Sequence, residues 1–208
     1  GGQLADINFT GLFREHSWQY DRFGLLGGVF PISHTEAADR QEAVVGFTGI
    51  ESAAYRFTHP AIEAALTQIL SDLGDEAHSE IQINLAGYSY GSVLQAHVAL
   101  RLADMGIQVD NLILIGSPIS SDSLLYRELI SDPNIVRVIR HDIPGDFLSN
   151  PSSDAEYAAG AFQNFEDSGP HFDLARPDDP STESIDEGLE ADERIRSLAQ
   201  RLREMDIQ

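Results

Sequence analysis

The sequence predicts an α/β fold, a three-layer sandwich with a mostly parallel central sheet and helices on its faces. Three observations predict it. Apolar runs of strand length alternate along the chain with amphipathic runs of helix length. Glycine or proline punctuates the ends of these runs. Successive apolar runs are separated by a helix rather than by a tight turn, which calls for right-handed crossovers between parallel strands. In such sheets ligands bind at the carboxyl ends of the strands.

Taken in order, residues 1–40 carry Trp18, Tyr20, Phe23, Leu25, Leu26, Val29 and Phe30, with Gly27-Gly28 as a bend. They suggest strands or hairpins packed on a core, rather than an acyl pocket. AVVGFTGI (43–50) reads as a buried strand with a glycine at its exit. HPAIEAALTQILSDLG (59–74) has helical spacing at Ile62, Leu66, Ile69 and Leu70, and Gly74 is placed to end it. IQINLA (81–86) is the next strand, followed by a helix from Tyr90 to about Met105 that Gly106 stops. VDNLILIGSPIS (109–120) is an apolar strand closed by Gly116 and Pro118. SDSLLYRELISD (121–132) is a short helix with a serine N-cap, and NIVRVIR (134–140) is a further strand. Residues 149–170 read as a long loop with room for a helical piece, and as a candidate lid or active-site loop. Residues 184–206 form a charged terminal helix with Ile195, Leu198 and Leu202 on one stripe.

A chain of 208 residues without repeats or low-complexity linkers suits one domain spanning 1–208. Its apolar content of 42 % is that of a globular protein. No apolar run approaches the roughly 18 residues of a membrane helix, so stable membrane insertion is not expected. Cysteine is absent, which removes disulfides, a thiolate nucleophile and thiolate metal sites. The expected protein is soluble, either cytoplasmic or secreted without disulfides. Thirteen basic residues, all arginine, face 34 acidic ones, for a net charge of −21. Such a balance argues against a nucleic-acid partner, since phosphates need a basic face. A solubilising acidic surface accounts for it; salt adaptation and delivery into a host cell are the sharper readings. The acidic pairs Asp178-Asp179 and Asp186-Glu187 lack the spacing of a calcium loop and read as a solvated face. No metal and no organic cofactor is expected.

Gly87-Tyr88-Ser89-Tyr90-Gly91 fits G-x-S-x-G. The string alone is weak evidence; its context of strand, sharp turn and helix is what a nucleophile elbow requires. A serine hydroxyl needs a base to take its proton, and the base needs a carboxylate to orient it. In this architecture the chain order is serine, acid, histidine. His16, His34, His59 and His78 precede the serine. His97 lies within the following helix and His141 ends a strand. His171, in DSGPHFDL (167–174), is therefore the candidate base. HDIPGDF (141–147) offers two acids. Asp146, after a Pro-Gly turn and before apolar Phe147-Leu148, is favoured over Asp142. The oxyanion hole needs two backbone N–H groups. Tyr90, the residue after the nucleophile, supplies one, and Gly49 or Ile50 in GFTGIES (46–52) the other.

From about residue 43 onward the chain resembles the α/β-hydrolases. VVGFTGIES is similar to the V-V-x-F-R-G-T-x-S stretch of class 3 lipases, with Thr48 where arginine is usual, and IPGDFLS resembles the acid-bearing G-D-x-V segment of cutinase-like enzymes. The resemblance implies a lipase or esterase triad of Ser89, Asp146 and His171, with an oxyanion hole at Ile50 and Tyr90. The expected function is hydrolysis of carboxylic esters, lipid or other acyl esters above all, through an acyl-enzyme on Ser89, with a small-molecule or lipid ester as partner. A non-catalytic hydrolase fold serving as a binding module, and a delivered phospholipase-type toxin, are the alternative readings.

Overall fold

The computed structural model describes residues 52–56, 58, 60–74, 82–164, 170–172, 174 and 185–207. The expected strand at 43–50, the aromatic stretch at 18–30 and the acidic pair at 178–179 lie outside the described residues, as do the side chains of Asp186 and Glu187. The described residues divide after His171 into two units.

In the first unit β1 (Asn84–Tyr88), β2 (Val109–Ile115) and β3 (Ile135–His141) lie side by side in that order, all parallel. Leu85 pairs with Leu112 and Tyr88 with Ile115 across the first ladder; Ile113 pairs with Ile139 across the second. β2, in the middle, is buried at every position but Asp110. That is the pattern of a parallel strand covered on both faces. The strand expected at 81–86 runs instead from 84 to 88. Pairing with β2 sets its limits: Ile83 is bonded sideways to Asp110, whose carboxylate accepts its N–H at 2.8 Å, and the ladder continues as far as the Ser89 N–H donating to Ile115 O at 2.8 Å. Likewise the apolar run 109–120 is strand only to Ile115, because Gly116 turns the chain with φ +52°.

Helix α1 (Pro60–Leu73) buries Ile62, Leu66 and Ile69 and packs on α2 (Tyr90–Asp104). α2 packs on all three strands and is buried on every face from Tyr90 to Ala103, Arg101 excepted. It ends in a Schellman turn, with Gly106 at φ +76° and the Ile107 N–H on Leu102 O. Helix α3 (Leu124–Ser131) starts at an N-cap, Ser123, whose hydroxyl accepts the Tyr126 N–H at 3.1 Å, and it packs on β3 and α2. Strand alternating with helix over parallel neighbours makes this an α/β fold.

Within 149–170 the chain forms α4 (Asp154–Asn164). Hydrophobic periodicity does not announce it, but its capping does. The Ser153 hydroxyl accepts the Glu156 N–H at 3.2 Å, and Glu156 reaches back to the N–H of Ser152 at 2.8 Å. The Ser152 hydroxyl, which donates to the same carboxylate, and with it the Ser152 N–H hold the Glu156 carboxyl below its ordinary range. Ser153-x-x-Glu156 is a capping-box signature that marks a helix start. A 3₁₀ turn follows at Pro170–Phe172.

The second unit contains Leu174 and the terminal helix α5 (Ile185–Glu204). Ile195, Leu198 and Leu202 are buried at the helical spacing expected, joined by Ala199. No helix among the described residues is long and apolar enough to cross a membrane.

Candidate active site

Ser89 stands between the last residue of β1 and the first of α2, with φ 52° and ψ −127°. An L-residue seldom adopts a positive φ, and a serine there stores strain of about 1–3 kcal/mol that the surroundings must enforce. The enforcement is visible. The Ser89 N–H is held by Ile115 O, and its carbonyl accepts both the Ser92 N–H at 3.0 Å and the Ser92 hydroxyl at 2.5 Å. Ser92 has spent its one proton on that carbonyl, so in its 2.8 Å bond with Ser117 the Ser117 hydroxyl donates. Gly87 is required by closeness: a Cβ there would overlap the backbone of Gly91 and Ser92. The turn is therefore as sharp as a strand-to-helix elbow demands.

The structure brings Ser89, His171 and Asp146 together, all in the first unit. Ser89 Oγ lies 2.6 Å from His171 Nε2, and His171 Nδ1 lies 2.6 Å from Asp146 Oδ2. A carboxylate can only accept, so Nδ1 carries the proton and Nε2 is left to accept from the serine hydroxyl. The second oxygen, Asp146 Oδ1, accepts the Leu148 N–H at 2.9 Å. Relative exposures of 5 % for Ser89, 3 % for His171 and 8 % for Asp146 keep this chain of hydrogen bonds away from bulk water, where each counts for more.

The two candidate acids are separated by the Pro144-Gly145 turn, with Gly145 at φ +82°. The turn carries Asp146 inward against His171. Asp142 stays exposed, where its Oδ2 accepts the Asn150 amide at 2.8 Å. Asp142 is thus a loop-bracing residue in this structure.

Tyr90 opens α2, so its N–H is among the first-turn donors for which the helix has no carbonyl. Gly49 and Ile50, the expected second donors, lie outside the described residues. The helix N-terminus beneath Ser89 favours negative charge there. The Tyr90 side chain turns inward. Its phenol oxygen accepts the Ser52 hydroxyl at 3.1 Å, and burial pushes the phenol above its ordinary pKa. Tyr157 of α4 is also buried and likewise raised, by desolvation first and by the proximity of Tyr90 second.

Several contacts around the site have no signal in the chain's local pattern. His97 is a buried residue of α2 whose Nε2 donates to Ser52 O at 2.8 Å, and burial lowers its pKa from 6.5. The Tyr88 phenol donates to the carbonyl of His171. Gly160 of α4 lies directly on the Phe147 carbonyl, leaving no room for a Cβ. Each joins residues distant in sequence, which neither spacing nor composition encodes.

Residues 49–123 match the family model described as an alpha/beta hydrolase. The match takes in Ser89 and stops short of Asp146 and His171. No curated protein and no solved structure matches the chain.

Proposed function

We propose that the chain is an α/β-hydrolase, a reading supported by the family match over residues 49–123 and by the parallel sheet with flanking helices, and that it is a serine hydrolase that cleaves carboxylic esters through an acyl-enzyme on Ser89. The observation that carries this reading is the unbroken chain Ser89 Oγ–His171–Asp146, with both links at 2.6 Å and all three residues buried.

His171 Nε2 takes the hydroxyl proton as Ser89 Oγ bonds to the ester carbonyl carbon. Charge passes to the carbonyl oxygen, where the Tyr90 N–H and a donor from the 46–52 loop stabilise it. The carbon–oxygen bond to the alcohol then breaks, and His171 gives its proton to the leaving alkoxide. Water repeats the sequence on the acyl-enzyme: His171 takes a proton from water, the hydroxide adds, and Ser89 leaves with that proton. Asp146 remains ionised throughout, holding Nδ1–H and stabilising the imidazolium. The likeness of GFTGIES and IPGDFLS to lipase and cutinase-like segments points the substrate toward lipid or other acyl esters, with thioesters chemically close.

The test is hydrolysis of p-nitrophenyl esters from short to long acyl chains. Ser89→Ala, His171→Ala and Asp146→Asn are expected to lose about three orders of magnitude or more in kcat. Asp142→Asn should stay within a few-fold of the parent. A parent protein with no Ser89-dependent turnover of any ester or thioester would overturn the reading. Sensitivity at Asp142 in place of Asp146 would move the acid.

A further inference from the structure

His171 is carried by a single 3₁₀ turn, an element with poor hydrogen-bond geometry and little stiffness of its own. Both ring nitrogens are engaged, one by Ser89 and one by Asp146. Those bonds fix the ring only if the backbone that carries it is also held. Tyr88 holds it. The Tyr88 phenol donates to the His171 carbonyl, and its ring lies nearly parallel to the imidazole, 5.7 Å between centroids and 17° between planes. Tyr88 is itself buried and locked in the β1–β2 ladder opposite Ile115. On the other side of the 3₁₀ turn, Pro170 lies against Gly145, where a Cβ would be 3.7 Å from the proline ring. Tyr88 precedes Ser89 in the chain, so a residue holding the base is joined to the nucleophile by one peptide bond.

We propose that Tyr88 is a positioning residue for the reaction, setting the place of His171 relative to Ser89 through its bond to the histidine's own carbonyl; this role rests on the hydrolase reading above. It explains why the position before the nucleophile holds a side chain with both a flat ring and a donor. A shorter apolar residue would fill β1 but could neither stack on the imidazole nor reach the carbonyl. The bond does not touch the titrating ring, so it holds the base equally well in both of the protonation states it passes through during turnover.

Tyr88→Phe keeps the ring and deletes the donor. The expected result is a fall in kcat of about 10- to 100-fold, the scale of a misplacement of about 1 Å at a reacting group, with KM unchanged. p-Fluorophenylalanine at position 88 matches the phenol in shape but cannot donate, and serves if the phenylalanine variant folds poorly. p-Aminophenylalanine restores a donor and should recover most of the loss. A second readout needs no turnover. The His171 Nδ1 proton, assigned by its absence from His171→Ala, should exchange with water faster in Tyr88→Phe than in the parent. Parent-like kcat and parent-like exchange in Tyr88→Phe would overturn the role of Tyr88 and leave the hydrolase reading standing. A parent without Ser89-dependent turnover would overturn the hydrolase reading and, with it, any part Tyr88 plays in a reaction. The exchange rate would then decide whether Tyr88 holds His171 at all.

Discussion

Ser89 occupies a backbone conformation that suits glycine better than serine, with φ 52°, and the fold tolerates the cost to keep a hydroxyl there. Replacing it separates the two. Ser89→Ala retains the strain and loses the hydroxyl, whereas Ser89→Gly loses both. The glycine variant should therefore be the more stable of the two by about 1 kcal/mol, even after the greater freedom of an unfolded glycine is counted. Both should be inactive, and denaturant melts of the pair measure the difference. His97 makes a second prediction at this scale. Burial lowers its folded pKa, with the charge of Arg56 acting in the same direction. Above about pH 6.5 the histidine is neutral in both folded and unfolded chains, and its contribution to stability is whole. As pH falls below that value the unfolded chain takes up the proton first, so stability declines until the folded pKa is reached. His97→Gln keeps a donor for Ser52 O and does not titrate. Its unfolding free energy should fall less steeply than the parent's as the pH is lowered from about 6.5. Parallel slopes from urea melts would mean that His97 is not held neutral by the fold.

Among the elements, α4 shows how a helix without catalytic residues can matter to the site. It is pinned at its start by the capping bonds of Ser152 and Ser153 and by Ser120, whose hydroxyl bonds Asp154. Farther along, Gly160 rests on the carbonyl of Phe147, next in sequence to Asp146. Gly→Ala in a helix normally stabilises. Here the added Cβ would push on the turn that carries Asp146, so Gly160→Ala should cost about 1–3 kcal/mol and, on the proposed reading, lower Ser89-dependent ester turnover as well. Gly106→Ala is the control. Gly106 has φ +76° with open space around its Cα, so only backbone strain of about 1 kcal/mol is expected, with turnover unchanged. Thermal midpoints and kcat measured on both variants separate crowding at the site from strain at a helix end.

For the whole molecule, charge dominates. A net charge of −21 on 208 residues sets the folded chain against its own repulsion, which is relieved by unfolding or by salt. Exposed ion pairs offset little of this. Arg56 bridges Asp104 at 2.7 Å and Glu128 at 2.8 Å, and Arg101 meets Glu63 at 2.8 Å, yet such half-exposed pairs contribute about 0.2–1 kcal/mol each. The reach of that repulsion shrinks from about 30 Å at 0.01 M salt to about 3 Å at 1 M. The melting temperature should accordingly rise with sodium chloride across that range. A midpoint that stays level or falls would show that acidic repulsion is not what limits stability.

Much of this protein was legible before any coordinates. The alternation of strand and helix, the Gly106 stop, a serine cap on the helix in 121–132 and the G-x-S-x-G elbow all depend on residues within a few positions of one another, and local physics governs them. The chain order of serine, acid and histidine, together with the position of His97 in a helix and of His141 at a strand end, likewise narrowed seven histidines to His171 as the candidate base. Other features were beyond reach because they are decided by packing. Periodicity ran the first described strand from 81 to 86, whereas pairing with β2 moved it to 84–88. The Pro-Gly turn and the apolar Phe147-Leu148 favoured Asp146 over Asp142 without deciding between them; the three-dimensional path of that turn brings Asp146 against His171 and leaves Asp142 exposed. The bonds from His97 to Ser52 and from Tyr88 to His171 join residues 45 and 83 positions apart. Hydrophobic pattern and capping act over one or two turns of chain, but a hydrogen bond between distant segments exists only after the core has collapsed and set their separation.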